Sequence, residues 1–353
     1  MRRIGGMFPL EPVREGTNGY LDSLGGDVLL MMSGRCAIYA ALEDMGWKEP
    51  HTAYVPAYTC ETVLSAYEKA GYRMIPYDID PEEMRPVFRS GALDFSSVLN
   101  LCGYFGFCRY DRSFLSECRS RGITVLQDTT HSPFQVDPLA DYAAGSLRKW
   151  MGVASGGVAV KRSGRFGINP LPPEKEHLEG RYKAFELRKD SLESGDSRYD
   201  EEASEVFWNT EMRLRGMFDA YAGDELSERI IESFDFEGMA ELRRRNYQAV
   251  LDALGPENGY RVVFPALQDS DVPSHFTVYA DDRDGFRAYL SKNGVSSTVY
   301  WPRTPLAESI EGFDEAFPGA SYIYDHVVSI QIDQRYSVDD MRYLASVLNG
   351  YRP

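Results

Sequence analysis

The chain is short of the residues that usually announce a site. Its five histidines, His51, His131, His177, His275 and His326, include no pair four residues apart and no H-E-x-x-H, which argues against a helix-borne zinc centre, so no metal is expected. The five cysteines, Cys36, Cys60, Cys102, Cys108 and Cys118, form no C-x-x-C pair. An odd count in a large acidic chain points to reduced thiols rather than a disulfide framework. Positive charge is scarce as well, with 38 Lys and Arg against 54 Asp and Glu and a formal net charge of -16. That balance counts against nucleic acid or an anionic membrane as the main partner. No apolar run approaches membrane-spanning length, and Met1-Arg2-Arg3-Ile4-Gly5-Gly6 lacks the apolar core of a signal peptide, so a cytoplasmic protein is expected. Also missing are a G-x-G-x-x-G after a strand, a G-x-x-x-x-G-K-[ST] and a G-x-S-x-G. Their absence disfavours dinucleotide binding, P-loop chemistry and the nucleophile elbow of α/β-hydrolases.

What is present suits a globular enzyme. A chain of 353 residues with 43% hydrophobic content can bury a sizeable core and supply two domains. Helix-like and strand-like segments alternate through the first half: a helix after Ser33, a strand near Ala53, a helix over Glu61 to Ala70 and a strand over Arg73 to Tyr77. Apolar runs at Ser97 to Leu101, Ile123 to Leu126 and Gly157 to Val160 extend the sheet, with a helix over Arg112 to Arg121. This is α/β wiring, in which ligands sit at the carboxyl ends of the strands. The charged, serine-containing stretch Arg188 to Ser204 reads as a connection, with helix resuming near Glu201. Helices are expected at Ala203 to Ala222, Glu225 to Ser233 and Glu237 to Leu254. A smaller α/β unit follows, with strands near Phe276 to Tyr279 and Val327 to Ile332 and helices at Asp284 to Lys292 and Val338 to Leu348.

The most informative pair is Asp128, which ends the run Ile123 to Asp128, and Lys149, 21 positions later in Ser146-Leu147-Arg148-Lys149-Trp150. A lysine amine condenses with an aldehyde to a Schiff base, and a carboxylate keeps a pyridine nitrogen protonated. The two together suit pyridoxal phosphate. Taken singly, a surface lysine and a turn aspartate explain them as well. Upstream, Ser33-Gly34-Arg35-Cys36 precedes a helix whose first amides could receive the cofactor phosphate, although an ordinary serine cap would look the same.

With Val55-Pro56-Ala57-Tyr58-Thr59-Cys60 and Asp128-Thr129-Thr130-His131 in this order, the chain resembles the DegT/DnrJ/EryC1/StrS family of pyridoxal phosphate-dependent aminotransferases. The resemblance runs from about Ser33 to the end and is weakest between Ile168 and Ala222. It implies the fold type I architecture: a large domain at 20–235 with a mostly parallel sheet flanked by helices, and a small C-terminal α/β domain at 236–353 on which residues 1–19 are a candidate to pack. It also implies that Lys149 carries the Schiff base and that Asp128 faces the pyridine nitrogen, with His131 near the ring hydroxyl. Ser33, Gly34, Arg35 and Ser146 would hold the phosphate, Arg35 standing where a small or hydroxyl residue is common in the family. Cys60 occupies the position of the family's stacking aromatic, leaving Tyr58, Tyr104 or Phe105 as candidates for that role. Asn209 and Arg213 fall where the family carries an Asn-x-x-Arg-like segment crossing to the neighbouring subunit. The implied activity is transfer of an amino group from an amino acid, glutamate being the first candidate, to a keto acceptor such as a nucleotide-linked keto sugar. The implied assembly is a homodimer with active sites at the interface. The alternatives are another pyridoxal phosphate reaction on an amino acid or sugar, and a noncatalytic relative that binds the cofactor for sensing or interaction.

Overall fold

The computed structural model describes residues 3–256 and 259–353. Its larger sheet contains β1 (Asp27–Met31), β2 (Thr52–Pro56), β3 (Arg73–Asp80), β4 (Arg85–Val87), β5 (Val98–Cys102), β6 (Thr124–Asp128), β7 (Tyr142–Ser146) and β8 (Gly157–Lys161). The spatial order is β1-β8-β7-β6-β5-β2-β3-β4. The five central strands β7, β6, β5, β2 and β3 run parallel, while β8, β1 and β4 add antiparallel at the two flanks. Strands β2, β5 and β6 are buried along their whole length, as expected where helices cover both faces. The second sheet, β11-β12-β10-β9, is antiparallel and uses β9 (Tyr260–Val262), β10 (His275–Ala280), β11 (Ser297–Thr298) and β12 (Val327–Gln331). One apolar cluster joins the sheets, with Tyr54, Leu99 and Val125 of the first continuous with Phe276, Val278 and Ile330 of the second. The amino-terminal segment touches both units: Glu11 donates its amide to Gly152 O and Asn18 to Glu232 O, each at 2.8 Å, while its start meets the second sheet's unit. Ile4 donates its amide to Gly294 O at 3.0 Å and accepts from the Ser296 amide at 2.8 Å.

One local expectation is corrected, and one strand is added that the sequence reading did not include. The charged stretch 188–204 is no open connection but part of a helical hairpin, Lys175–Ser194 and Ser197–Met217. Gly195 ends the first helix at φ 73° and Asp196 caps the second, the usual left-handed stop followed by an N-cap. The two helices approach closely because Gly180 has no Cβ to meet the Thr210 methyl. Their outer faces carry most of the charge, so apolar periodicity is faint and ion pairs such as Arg188–Asp200 (2.6 Å) stand in its place. Strand β7, Tyr-Ala-Ala-Gly-Ser, was not anticipated either. Its small residues carry no β-branched signature, yet Gly145 is required there, because a Cβ would come within 2.5 Å of Thr129 Oγ1.

Candidate active site

Parallel strands β2, β5, β6 and β7 end at one edge of the sheet, and their last residues or following loops converge on a cavity of about 330 Å³. From β6 comes Asp128, buried, with Oδ1 accepting the Thr130 amide at 2.9 Å. From β7 comes Ser146, which caps the short 3₁₀ turn Leu147–Lys149 by accepting the Arg148 amide at 3.3 Å. The Trp150 indole donates to Thr130 O at 2.8 Å, tying the lysine turn to the aspartate loop. Lys149 and Asp128 therefore reach the same space through rigid strand ends rather than through mobile loops.

The helix Gly34–Met45 opens on this space. Ser33 caps it through Cys36 N at 3.2 Å. Its start is pressed against β7 and β8: a Cβ on Gly34 would lie 2.9 Å from Ser146 Cβ, and one on Gly157 would lie 2.1 Å from Ser33 O. The helix start and two serine side chains thus face one corner, a donor set suited to a phosphate, while the Arg35 guanidinium lies 5.1 Å from the centre of the Phe218 ring. Arg35 Nε is buried without a partner.

Burial sets the electrostatics. It pushes the Lys149 amine below its ordinary value, with Cys60 and Asp128 opposing the change, and pushes the Asp128 carboxyl up. His131 is driven well below the usual imidazole range by burial first and then by Lys149. Lys149 Nζ lies 2.8 Å from His131 Nε2 and 4.7 Å from the centre of the Tyr300 ring.

Of the residues expected from sequence, Ser33, Gly34, Arg35, Cys60, Asp128, His131, Ser146 and Lys149 all line this cavity. Tyr58 and Tyr104 do not. Both are fully buried beneath it, Tyr104 Oη donating to Tyr58 O at 2.7 Å. Asn209 points to solvent while Phe207, Glu211 and Leu214 of the same helix line the cavity, because Asn209 sits on the other helical face. Arg213 is engaged by Glu174 and Glu176. Sequence reading missed Tyr300 and Trp301, which close the cavity from the second sheet. Trp301 stacks on His131, ring centres 5.1 Å apart at 24°, and Tyr300 Oη meets His275 Nε2 at 2.9 Å. The one available signal was an aromatic pair in a polar loop before Pro302.

No family model matches the sequence, and no curated protein matches it. Solved structures do. The chain is similar to a DegT DnrJ EryC1 StrS aminotransferase from Brucella abortus, at TM-score 0.66 and 15% identity over 97% of this chain and 91% of that one. It is also similar to S. venezuelae DesV, solved in complex with a ketimine intermediate, at TM-score 0.68 and 17% identity over 98% and 90%. A third is Helicobacter pylori PseC, an aminotransferase involved in the biosynthesis of pseudoaminic acid, at 0.68 and 11% over 99% and 100%. These likenesses span nearly the whole chain and establish the fold, the type I architecture expected from the sequence.

Proposed function

We propose that the protein is a pyridoxal phosphate-dependent aminotransferase that takes an amino group from an amino acid and delivers it to a keto acceptor, a nucleotide-linked keto sugar being the acceptor class we favour. The observation that carries this reading is the convergence of Lys149, Asp128, His131 and the Ser33–Ser146 corner on a single cavity. Two of the three similar structures are aminotransferases by name, and the third was solved with a ketimine intermediate. Among the described residues no helix is long and apolar enough to cross a membrane, and no group of His, Cys, Asp and Glu is placed to hold a metal.

The residues fit the cofactor. Pyridoxal phosphate supplies an aldehyde that traps an amine and a ring that draws electrons from the carbon bearing it. Ser33, Ser146 and the first amides of the Gly34–Met45 helix would hold its phosphate, and Asp128 would keep its ring nitrogen protonated. Lys149, whose amine burial shifts toward the neutral form, serves as nucleophile and afterwards carries a proton to and from the donor's Cα. His131 keeps that amine aimed, and Trp301 covers the cavity and limits water. The domain division near residue 235, the homodimer and a cytoplasmic setting belong to the same reading. Trp208 supports the dimer: it lines the cavity while 58% exposed, leaving an apolar rim that a second subunit would cover.

The test is the absorbance spectrum of purified protein with pyridoxal phosphate, before and after glutamate, beside Lys149→Ala. A visible band that needs Lys149 and disappears with glutamate is expected. A protein that gives no such band is not this enzyme.

A further inference from the structure

A second cavity, of about 160 Å³, lies behind Lys149, and Lys149 and Arg148 line both. It lacks the serines and the helix start of the first and is walled instead by cations. Arg148 and Arg181 face it from the lysine turn and from the Lys175–Ser194 helix, their side chains only 9% and 3% exposed. Both guanidinium groups lean on a single carboxylate oxygen, Glu211 Oε1, which Arg181 reaches at 3.2 Å and Arg148 more closely. The Nε atoms of both arginines are buried and unpartnered. Asp333, the acid on the opposite wall, is fully taken by Arg335, with Nε and Nη2 each at 2.8 Å. Arg243 nearby spends its donors on neutral acceptors, Gln334 Oε1, Ser274 O and Trp150 O. The wall therefore holds more positive charge than its carboxylates balance, in a setting where an unmatched guanidinium is costly.

We infer that Arg148 and Arg181 form a subsite for a carboxylate of the amino donor, seating a small acid in the second cavity with its other end at Lys149. This rests on the aminotransferase reading above. A planar guanidinium pair matches a planar carboxylate in forked geometry. The volume is well under the roughly 300 Å³ at which pockets begin to take drug-sized ligands, so the space suits an amino acid and not a nucleotide-linked sugar. Phe207, whose ring centre lies 3.9 Å from the Arg181 guanidinium carbon, fixes that side chain in place.

The test is calorimetric titration of the cofactor-loaded protein with glutarate, a five-carbon diacid that has no amine to transfer, with pentane-1,5-diol and inorganic phosphate as comparisons. Glutarate should bind saturably, the diol should not, and phosphate should fail to displace glutarate. Arg181→Gln leaves Glu211 paired with Arg148, so no carboxylate is orphaned; it should bind glutarate at least tenfold more weakly, the loss expected for a charge-assisted hydrogen bond. Arg181→Lys, which keeps the charge, should recover part of that loss. Unchanged glutarate affinity in Arg181→Gln, or displacement of glutarate by phosphate, overturns the subsite even if glutamate is turned over. Arginine-dependent glutarate binding in a protein that exchanges the α-hydrogen of no amino acid would instead uphold a carboxylate site at these arginines and remove the aminotransferase reading.

Discussion

His131 Nε2 stands 2.8 Å from Lys149 Nζ while the Phe105 amide points at Nδ1 of the same ring from 3.4 Å. With Nδ1 accepting that proton, the neutral imidazole carries its own hydrogen on Nε2 and offers it to the lysine lone pair. The contact is compatible with a neutral amine and opposed to an ammonium, so it acts in the same direction as burial on Lys149. Phe105 sits at φ 54°, followed by Gly106 at φ 96° in a tight turn closed by Tyr104 and Phe107. A phenylalanine in that conformation costs roughly 1–3 kcal/mol.

His131→Gln puts a side chain there that can accept from an ammonium. The Lys149 pKa should then rise by about one unit, near the worth of one hydrogen bond. The pH dependence of pyridoxal phosphate capture would move upward by the same amount. A profile that stays in place means that burial alone sets the amine.

Asp128→Asn preserves shape and the acceptor for the Thr130 amide but removes the charge that would face the ring nitrogen. Exchange of the glutamate α-hydrogen should slow by about 10²-fold, the equivalent of ~3 kcal/mol for a lost charge-assisted contact. Cofactor affinity should change far less. Exchange at the wild-type rate would remove Asp128 from the chemistry.

Much of this was legible in the chain. Strands β5, β6 and β8 announced themselves as apolar runs, and Asp128 stands where a strand end places a ligand, whereas Ser146 ends β7, whose small residues gave no strand signal. The arginine pair was not legible. Arg181 lies in a charged helix with no apolar stripe, and its meeting with Arg148 depends on the Gly180–Thr210 approach of two helices, which no local pattern encodes. Trp301 reaches His131 from the second sheet across 170 positions of sequence. The stacking candidates Tyr58 and Tyr104 went the other way, into the core, where Tyr58 packs 4.9 Å from both Trp301 and Tyr324.

Acid should weaken the fold before most carboxylates titrate. Burial first, then Arg148 and Arg181, push His177 down to about 3, and burial with Arg243 does the same to His275. Between pH 6.5 and 3 the unfolded chain binds protons that the folded histidines refuse, so stability is complete above the unfolded value and falls as pH drops. Each such histidine contributes a slope of about 1.4 kcal/mol per pH unit once fully in that window. Asp44, Asp224 and Asp333, all held below 3.8, add their losses only at lower pH. Urea denaturation at pH 7, 6 and 5 should show the decline, and His177→Gln should flatten it by one proton's slope. An unaltered slope would mean that His177 accepts a proton in the folded state.

Gly157→Ala isolates the Ser33–Ser146 corner, proposed to hold the phosphate, from the rest of the site. Gly157 pairs with Met31 on one side and Ser146 on the other, and its missing Cβ is where Ser33 O comes to rest, a would-be contact of 2.1 Å. Ser33 O also accepts the Ala37 amide at 2.9 Å, so a methyl group must displace the first turn of the helix or bend β8. Overpacking of this kind costs about 1–3 kcal/mol of stability, and the displaced amides should weaken pyridoxal phosphate binding at least tenfold. Gly216→Ala is the control: it lies on an exposed helix turn with nothing within 4 Å of a built Cβ, and alanine there should stabilise by up to ~1 kcal/mol with cofactor affinity unchanged. Equal cofactor affinity in the two variants would show that the start of the Gly34–Met45 helix does not hold the phosphate, and would move the search for that anchor to Arg35 and Arg148.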